Sequence, residues 1–276
     1  MTFRHPKPGY RERILLWGDE KSGKSQACVD VVAALTHDHH YVIEADYNPT
    51  WDLLCTADMD ARMTRRQVWP DEWTPYVETV RGWGKKAQPN DWLHVDSMTP
   101  SWPAVHAWYV ERQRGKTVPE LFMAHAKTGK KGNPLEGDTD WSTINALYRE
   151  WYMTLSRWPG HVLLTAQWKK VGDRDSELDK RQYAGVAKGH KPDGQKALGQ
   201  WPASSIILTR GKEHKFSTFG DRGRDVVEDV SWEHEVDEDG VGARTGAGAG
   251  GFFRGYVRGV AGWKMTKVGA GDINHG

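Results

Sequence analysis

The chain is 276 residues long, 38% hydrophobic and formally charged at only +1, which suits one large domain, or one domain with a small appendage. That charge argues neither for nor against a nucleic-acid partner, so any basic surface must be local. Cys28 and Cys55, the only 2 cysteines, exclude a disulfide framework and a cysteine metal site, and no stretch approaches the roughly 20 apolar residues of a membrane helix.

Residues 1–13 read as a polar lead-in without the apolar run of a signal peptide. With the reduced cysteines, this predicts a soluble, cytoplasmic protein. Ile14 to Trp17 forms a short apolar strand that runs directly into Gly18. From Gln26 to Leu35, Ala27, Cys28, Val31, Val32, Ala34 and Leu35 recur at helical spacing, which also places Cys28 in the core. Tyr41-Val42-Ile43 is the next strand, closing on Glu44-Ala45-Asp46, and the Trp-rich stretch 47–90 reads as helical pieces and loops. Trp92 to Val95 is a further strand ending at Asp96-Ser97, and Ser101 followed by Pro103 marks a helix start.

Residues 112–138 carry many Lys and Gly and no apolar rhythm, and read as a long loop. Asp140 then reads as the cap of the clearest helix, in which Trp141, Ile144, Tyr148, Trp151, Leu155 and Trp158 recur at three and four residues until Pro159-Gly160. Val162 to Ala166 is a buried-strand candidate ending at Gln167, and 168–200 is a second long polar stretch. Ser205 to Thr209 is a strand, with Lys215 to Phe219 as one arm of a hairpin. Short apolar strands separated by helices predict an α/β fold with a mainly parallel sheet. Asp225 to Asp239 holds eight acidic residues and no Lys or Arg, and a Gly/Ala linker follows at 240–251. The expected division is therefore a lead-in at 1–13, a core at 14–224 and an acidic, Gly-rich C-terminal appendage at 225–276, of β or irregular structure and partly ordered.

Gly18-Asp19-Glu20-Lys21-Ser22-Gly23-Lys24-Ser25 matches G-x-x-x-x-G-K-[ST] in full, between an apolar strand and an apolar-periodic helix. The glycines let backbone N–H groups wrap phosphate oxygens, and the helix that follows, with Gln26 in its first turn, adds its positive end. Lys24 is expected to reach the β- and γ-phosphates of ATP, and Ser25 to ligate Mg²⁺. A second carboxylate must hold the metal's water shell from a neighbouring strand end. Asp96 is the candidate, its plain alternative being a turn cap before Thr99-Pro100. Asp46 and Glu44 share a strand face, and either could orient or deprotonate the attacking water. Gln167 can sense the γ-phosphate, or can simply finish its strand in solvent.

In that order, the P-loop, acidic, Asp-Ser and Gln strand ends resemble the RecA-like ATPase core. They resemble especially the phage nucleotide-binding proteins of that superfamily, which include ATP-dependent single-strand annealing proteins. The resemblance covers about residues 13–224. It implies that Asp46 is the catalytic carboxylate, that Leu93 to Ser97 is the Walker B strand, and that Gln167 couples nucleotide to a DNA-binding loop. The segment Lys191 to Gly199 resembles one that contributes a basic residue to a nucleotide across a subunit interface, with Lys191 and Lys196 as the candidates. Asp46 is shorter than the Glu usual in recombinases, which implies slow or water-bridged hydrolysis. No recognisable N-terminal oligomerisation domain precedes the core, which implies a homo-oligomeric ring or short array. A single-strand-binding protein is a further implied partner, and the location is the host cytoplasm if the chain is phage-encoded.

DNA would bind on the segments after the Walker B and Gln strands. Residues 112–131 hold six Lys and Arg against one acid, a net +5; residues 168–200 hold eight against five, a net +3. Lys127, Lys130, Lys131, Lys169, Lys170 and Lys188 are the candidate contacts, with Phe122, Trp168, Tyr183 and Trp201 in or beside these segments. Basic residues interleaved with rings suit single-stranded DNA, although charged loops are often only solvated faces. The residues thus favour a DNA-dependent ATPase that anneals or exchanges single strands. A nucleotide-gated binding or recruiting module with little turnover, and a packaging or helicase-type motor, are the alternatives.

Overall fold

The computed structural model describes residues 10–45, 50–69, 71–129, 138–173, 175–210 and 214–221, with short pieces at 2–4, 132, 134–135, 230–231, 252, 256 and 264–266. In chain order the elements begin β1 (Thr2–Arg4), β2 (Arg13–Gly18), α1 (Lys24–Ala34), β3 (His40–Glu44), α2 (Thr50–Leu54), α3 (Ala57–Asp60), β4 (Met63–Gln67) and α4 (Trp73–Gly84). They continue with β5 (Trp92–Asp96), α5 (Ser101–Arg114), α6 (Val118–Lys127), α7 (Asp138–Ser156), β6 (His161–Lys170) and α8 (Glu177–Gln182). The last are β7 (His190–Pro192), β8 (Ser204–Arg210), β9 (His214–Asp221), β10 (Val230–Ser231) and β11 (Lys264–Thr266).

Strand β2 shows why a parallel sheet forms. Ile14 and Leu16 pack into one apolar cluster while Leu15 and Trp17 pack into another, so both faces of the strand are covered. A strand buried on both faces reads as a continuous apolar run rather than an alternating one. The main sheet has the order β10-β9-β8-β2-β6-β5-β3-β4. From β8 to β4 every neighbouring pair is parallel, and β9 joins β8 antiparallel as the expected hairpin arm. Helices α4, α5 and α7 cover one face; α1, α2 and α3 cover the other. This is the α/β, mainly parallel and helix-flanked core expected of a RecA-like ATPase. The strand bearing Gln167 lies between the P-loop strand and the strand bearing Asp96, so the functional strand ends converge on one sheet edge.

Several local expectations are corrected. Residues 112–138 are not one long loop, because α5 runs on to Arg114 and α6 spans Val118–Lys127. The start of α6 is a capping box: Thr117 accepts from the Glu120 backbone while the Glu120 carboxylate accepts from the Thr117 backbone. No residue of α6 is fully buried, and the apolar positions Val118, Leu121 and Phe122 span only one turn between Lys- and Gly-bearing flanks. Residues 168–200 are likewise folded, into the end of β6, α8, β7 and a 3₁₀ turn at Lys196–Gly199. Asp140 is not a cap. It lies inside α7, buried, and accepts from the Tyr109 hydroxyl and from Arg114 at 3.0 Å. Strand β4 escaped notice because it is the polar sheet edge Met-Thr-Arg-Arg-Gln, where one side is solvated.

Most of 225–276 lies outside the described residues. Within it, Phe252 and Tyr256 are fully buried against the α1 side of the sheet. The Phe252 N–H donates to the buried Asp30 at 3.1 Å, and β11 pairs antiparallel with β1.

Candidate functional site

The loop between β2 and α1 is shaped by its glycines. A Cβ on Gly18 would come within 2.2 Å of the Leu208 carbonyl oxygen on β8, so only glycine lets the P-loop strand lie this close to its neighbour. Gly23, the residue before α1, sits at φ 92°, a backbone region that costs other residues dearly. Lys24 then bends back over the loop. Its ammonium donates to the backbone oxygens of Gly18 at 3.2 Å and Asp19 at 2.5 Å, and to Ser22 Oγ at 3.4 Å. The Glu20 N–H donates to the Asp19 carboxylate at 2.8 Å, and the Gln26 amide donates to Asp30 at 3.0 Å.

Beside this loop lies an open cleft of ≈ 410 Å³. Glu20, Lys21, Gly23, Lys24, Ser25 and Gln26 form its P-loop wall. Asp96, Ser97 and Gln167 close it from the neighbouring strand ends, and Thr50 and Leu54 of α2 form the remaining side. Gly18, Asp19 and Ser22 stand behind the wall, where they hold Lys24 or the turn.

Asp96 is held from both sides. Its Oδ2 accepts from Trp51 Nε1 at 3.0 Å and its Oδ1 from the Thr165 hydroxyl at 2.6 Å. Trp51 is buried and stands edge-on to His94. His94 in turn shares a 3.0 Å contact with His40. Burial lowers the pKa of both histidines, that of His94 to about 3, so the pair beneath Asp96 is neutral.

Gln167 is tied into its surroundings through its backbone. Its N–H donates to Thr99 Oγ1 at 2.9 Å, and its carbonyl accepts from the Asp193 N–H at 2.6 Å. The Thr99 hydroxyl donates to the Asp193 carbonyl at 3.2 Å. Strand β6 is thus fastened at Gln167 both to the loop after Asp96 and to the turn after β7.

Glu44 is not brought to this cleft. Its carboxylate accepts from Arg65 of β4 at 2.8 Å, and the same guanidinium binds Asp52 at 2.7 Å. Asp46, Lys130 and Lys131 lie outside the described residues. Lys127 is exposed at the end of α6, and Lys170 and Lys188 are exposed around β6 and β7. Lys169 is paired with Asp193 at 2.8 Å, Lys191 with Asp175, and Lys196 with Asp179 at 3.8 Å. Among the rings, Phe122 is 43% exposed and Trp168 stacks on His190, whereas Tyr183 is a core residue stacked on Phe219.

Sequence reading missed Thr50, Trp51, Leu54, Thr99 and Thr165. Trp51, Thr99 and Thr165 are set by partners far along the chain, and Thr50 and Leu54 reach the cleft only through the placement of α2. The donor set fits ATP with Mg²⁺. Ser25 and Asp96 offer the hard oxygens this ion prefers, and Lys24 beside the start of α1 suits phosphate.

No protein-family model matches the chain, and no curated protein matches it. Solved structures do. The chain is similar to the RadB recombinase with a TM-score of 0.44 and 12% identity, over 81% of this chain and 85% of that one. It is similar to an ATPase of the type III secretion system of pathogenic bacteria with a TM-score of 0.39 and 12% identity, over 72% of this chain and 52% of that one. For the flagellar accessory protein FlaH from Methanocaldococcus jannaschii the TM-score is 0.36 at 10% identity, over 80% of this chain and 81% of that one. The sheet order and the P-loop, rather than these likenesses, define the core. Among the described residues, no helix is long and apolar enough to cross a membrane.

Proposed function

We propose that the chain is a Mg²⁺-dependent ATPase that binds single-stranded DNA and serves DNA annealing or recombination, in a phage, as a ring or short array of identical subunits. The observation that carries the ATPase reading is the convergence of Lys24, Ser25, Asp96 and Gln167 on one cleft. In this reading Lys24 would bind the β- and γ-phosphates, and Ser25 and Asp96 would hold the metal. Bound Mg²⁺ supplies charge neutralisation of the phosphates. Asp46 orients the attacking water, and Gln167 responds to the γ-phosphate. The knot of Gln167, Thr99 and Asp193 passes that response to the segment bearing Lys169, Lys170 and Lys188. The exposed cations of that segment and of α6 supply the DNA-binding part of the proposal.

One observation favours a second reading, a nucleotide-gated DNA-binding module with little turnover. Arg65 holds Glu44, one of the two candidate bases, away from the cleft. Mg²⁺-dependent ATP hydrolysis, with and without single-stranded DNA and beside Lys24→Ala, separates the two. DNA-stimulated hydrolysis that vanishes in the variant supports the ATPase. Tight Mg²⁺-ATP binding with negligible hydrolysis supports the gated module, and hydrolysis indifferent to DNA removes the DNA-coupled mechanism.

A further inference from the structure

We infer that a second cavity, between α7 and the 3₁₀ turn at Lys196–Gly199, is a pocket for one unstacked nucleotide. The inference rests on the single-strand-binding part of the proposed function and names where a base would be held. The cavity measures ≈ 540 Å³, within the roughly 300–1,000 Å³ typical of small-ligand sites. Ser142, Asn145, Arg149 and Tyr152 line it from one stripe of α7, at helical spacings of three and four residues. Gln195 faces them from the other side.

The chemistry of these side chains suits a base with its phosphate. The Asn145 and Gln195 amides meet at 3.4 Å, a long contact that a better partner can replace. An amide presents a donor and an acceptor side by side, the pattern found along the edge of a nucleobase. Tyr152 is backed by Trp201, stacked at 6.1 Å and itself fixed by a 2.8 Å bond to Ser156. That gives the pocket a stiff aromatic wall. Arg149 is exposed and has no ion-pair partner among the described residues, unlike Lys169, Lys191 and Lys196. Among the described residues no carboxylate lines the cavity, so none of them opposes an incoming phosphate.

The pocket is joined to the nucleotide cleft by a short covalent and hydrogen-bonded path. Gln167 accepts from Asp193, and Gln195 follows only two residues later, its side chain capping the turn through the Ala197 N–H at 2.5 Å. A nucleotide that shifts Gln167 therefore moves one wall of the pocket. By linkage, occupation of the pocket biases the cleft in return.

The test is fluorescence anisotropy of the full-length chain with a labelled single-stranded oligonucleotide and an abasic oligonucleotide of equal length. It is run on wild type, Asn145→Ala and Ala146→Trp. Ala146 lines the cavity from an exposed helix position, so the tryptophan fills the space without disturbing the core. The expected result is that wild type prefers the base-bearing strand about tenfold, and that both variants erase the preference while binding the abasic strand as before. Equal affinity of wild type for both strands overturns the pocket and leaves DNA binding intact. So does a variant that weakens both strands equally. Binding of neither strand overturns the DNA reading and the pocket together. Free dTMP displacing the strand from wild type but not from Ala146→Trp supports the pocket and assigns it to a soluble nucleotide as well.

Discussion

The ammonium of Lys24 rests on the backbone carbonyls of Gly18 and Asp19, whereas those of Lys169, Lys191 and Lys196 rest on the carboxylates of Asp193, Asp175 and Asp179. The loop's own backbone oxygens set the Lys24 ammonium at the wall of the cleft, beside the start of α1, where a phosphate would lie. A carboxylate partner instead opposes an arriving phosphate. At Lys169, Lys191 and Lys196 an incoming phosphate must displace an internal acid before it gains anything. Counting basic residues therefore overstates the second region, the segment after Gln167. Among the described residues, Lys170, Arg181 and Lys188 of the second region, and Arg149 across the pocket, have no ion-pair partner.

That contrast can be broken at its strong end. Lys24→Ala should lower Mg²⁺-ATP hydrolysis by about 100-fold or more, as loss of one phosphate-stabilising donor does elsewhere, and equilibrium binding of a labelled nucleotide checks it. A smaller effect is expected one step behind the loop. Trp51→Phe keeps a ring against His94 but removes the donor to Asp96. A hydrogen bond to a charged group contributes roughly 1.5–3 kcal/mol, so the Mg²⁺ concentration for half-maximal hydrolysis should rise about tenfold. Nucleotide affinity measured in EDTA should stay as in wild type, and a parallel loss of both would show Trp51 to be packing alone.

The weak end is sharpened by freeing one lysine. Asp175→Asn keeps an acceptor for the Gly172 N–H, now bonded at 2.8 Å, but removes the charge that neutralises Lys191. Single-strand affinity should rise about threefold at low salt, with a salt dependence steeper by about one phosphate contact. No change would mean that Lys191 does not face the strand.

A last effect, on stability rather than on binding, concerns a carboxylate set beside another carboxylate. Burial raises the pKa of Asp38 from 3.8 to about 7, and Asp91 adds to the shift. The folded state then holds a proton that the unfolded state has released, so stability is lost as pH rises from 3.8 towards 7. Asp38→Asn removes that loss. Its melting temperature should match wild type near pH 4 and exceed it at pH 8, by an amount equivalent to about 1 kcal/mol after allowance for partial exposure.

Residues differed sharply in how legible they were. Gly18, Gly23, Lys24 and Ser25 belong to one continuous run whose spacing is dictated by phosphate geometry, and the structure forms that loop where the run stands. Asp96 and Gln167 were legible because each directly follows an apolar run, although β6 itself continues past Gln167 to Lys170. Glu44 follows such a run too, yet a cation on the edge strand captures it, and Arg65 gave no local sign of reaching there. Helix α6 was read as loop because Val118, Leu121 and Phe122 span only one turn, although Thr117, Pro119 and Glu120 spell a helix start. Residues 168–200 were read as loop for a related reason. Their folded state depends on pairing β7 against the end of β6, a contact between positions about twenty residues apart.

The sequence by itself determined what is local: a phosphate loop between a strand and a helix, strand ends bearing an acid and an amide, and a mainly parallel α/β core. These depend on spacing along a few consecutive residues and on apolar runs that must be buried. Tertiary structure alone decided which side chains share a space: Trp51 and Thr165 on Asp96, Arg65 on Glu44, acids on the lysines after Gln167, and Asn145 opposite Gln195. Those meetings join residues far apart in the chain. They are fixed by how the sheet orders its strands and where the helices pack, and no short stretch of sequence carries that information.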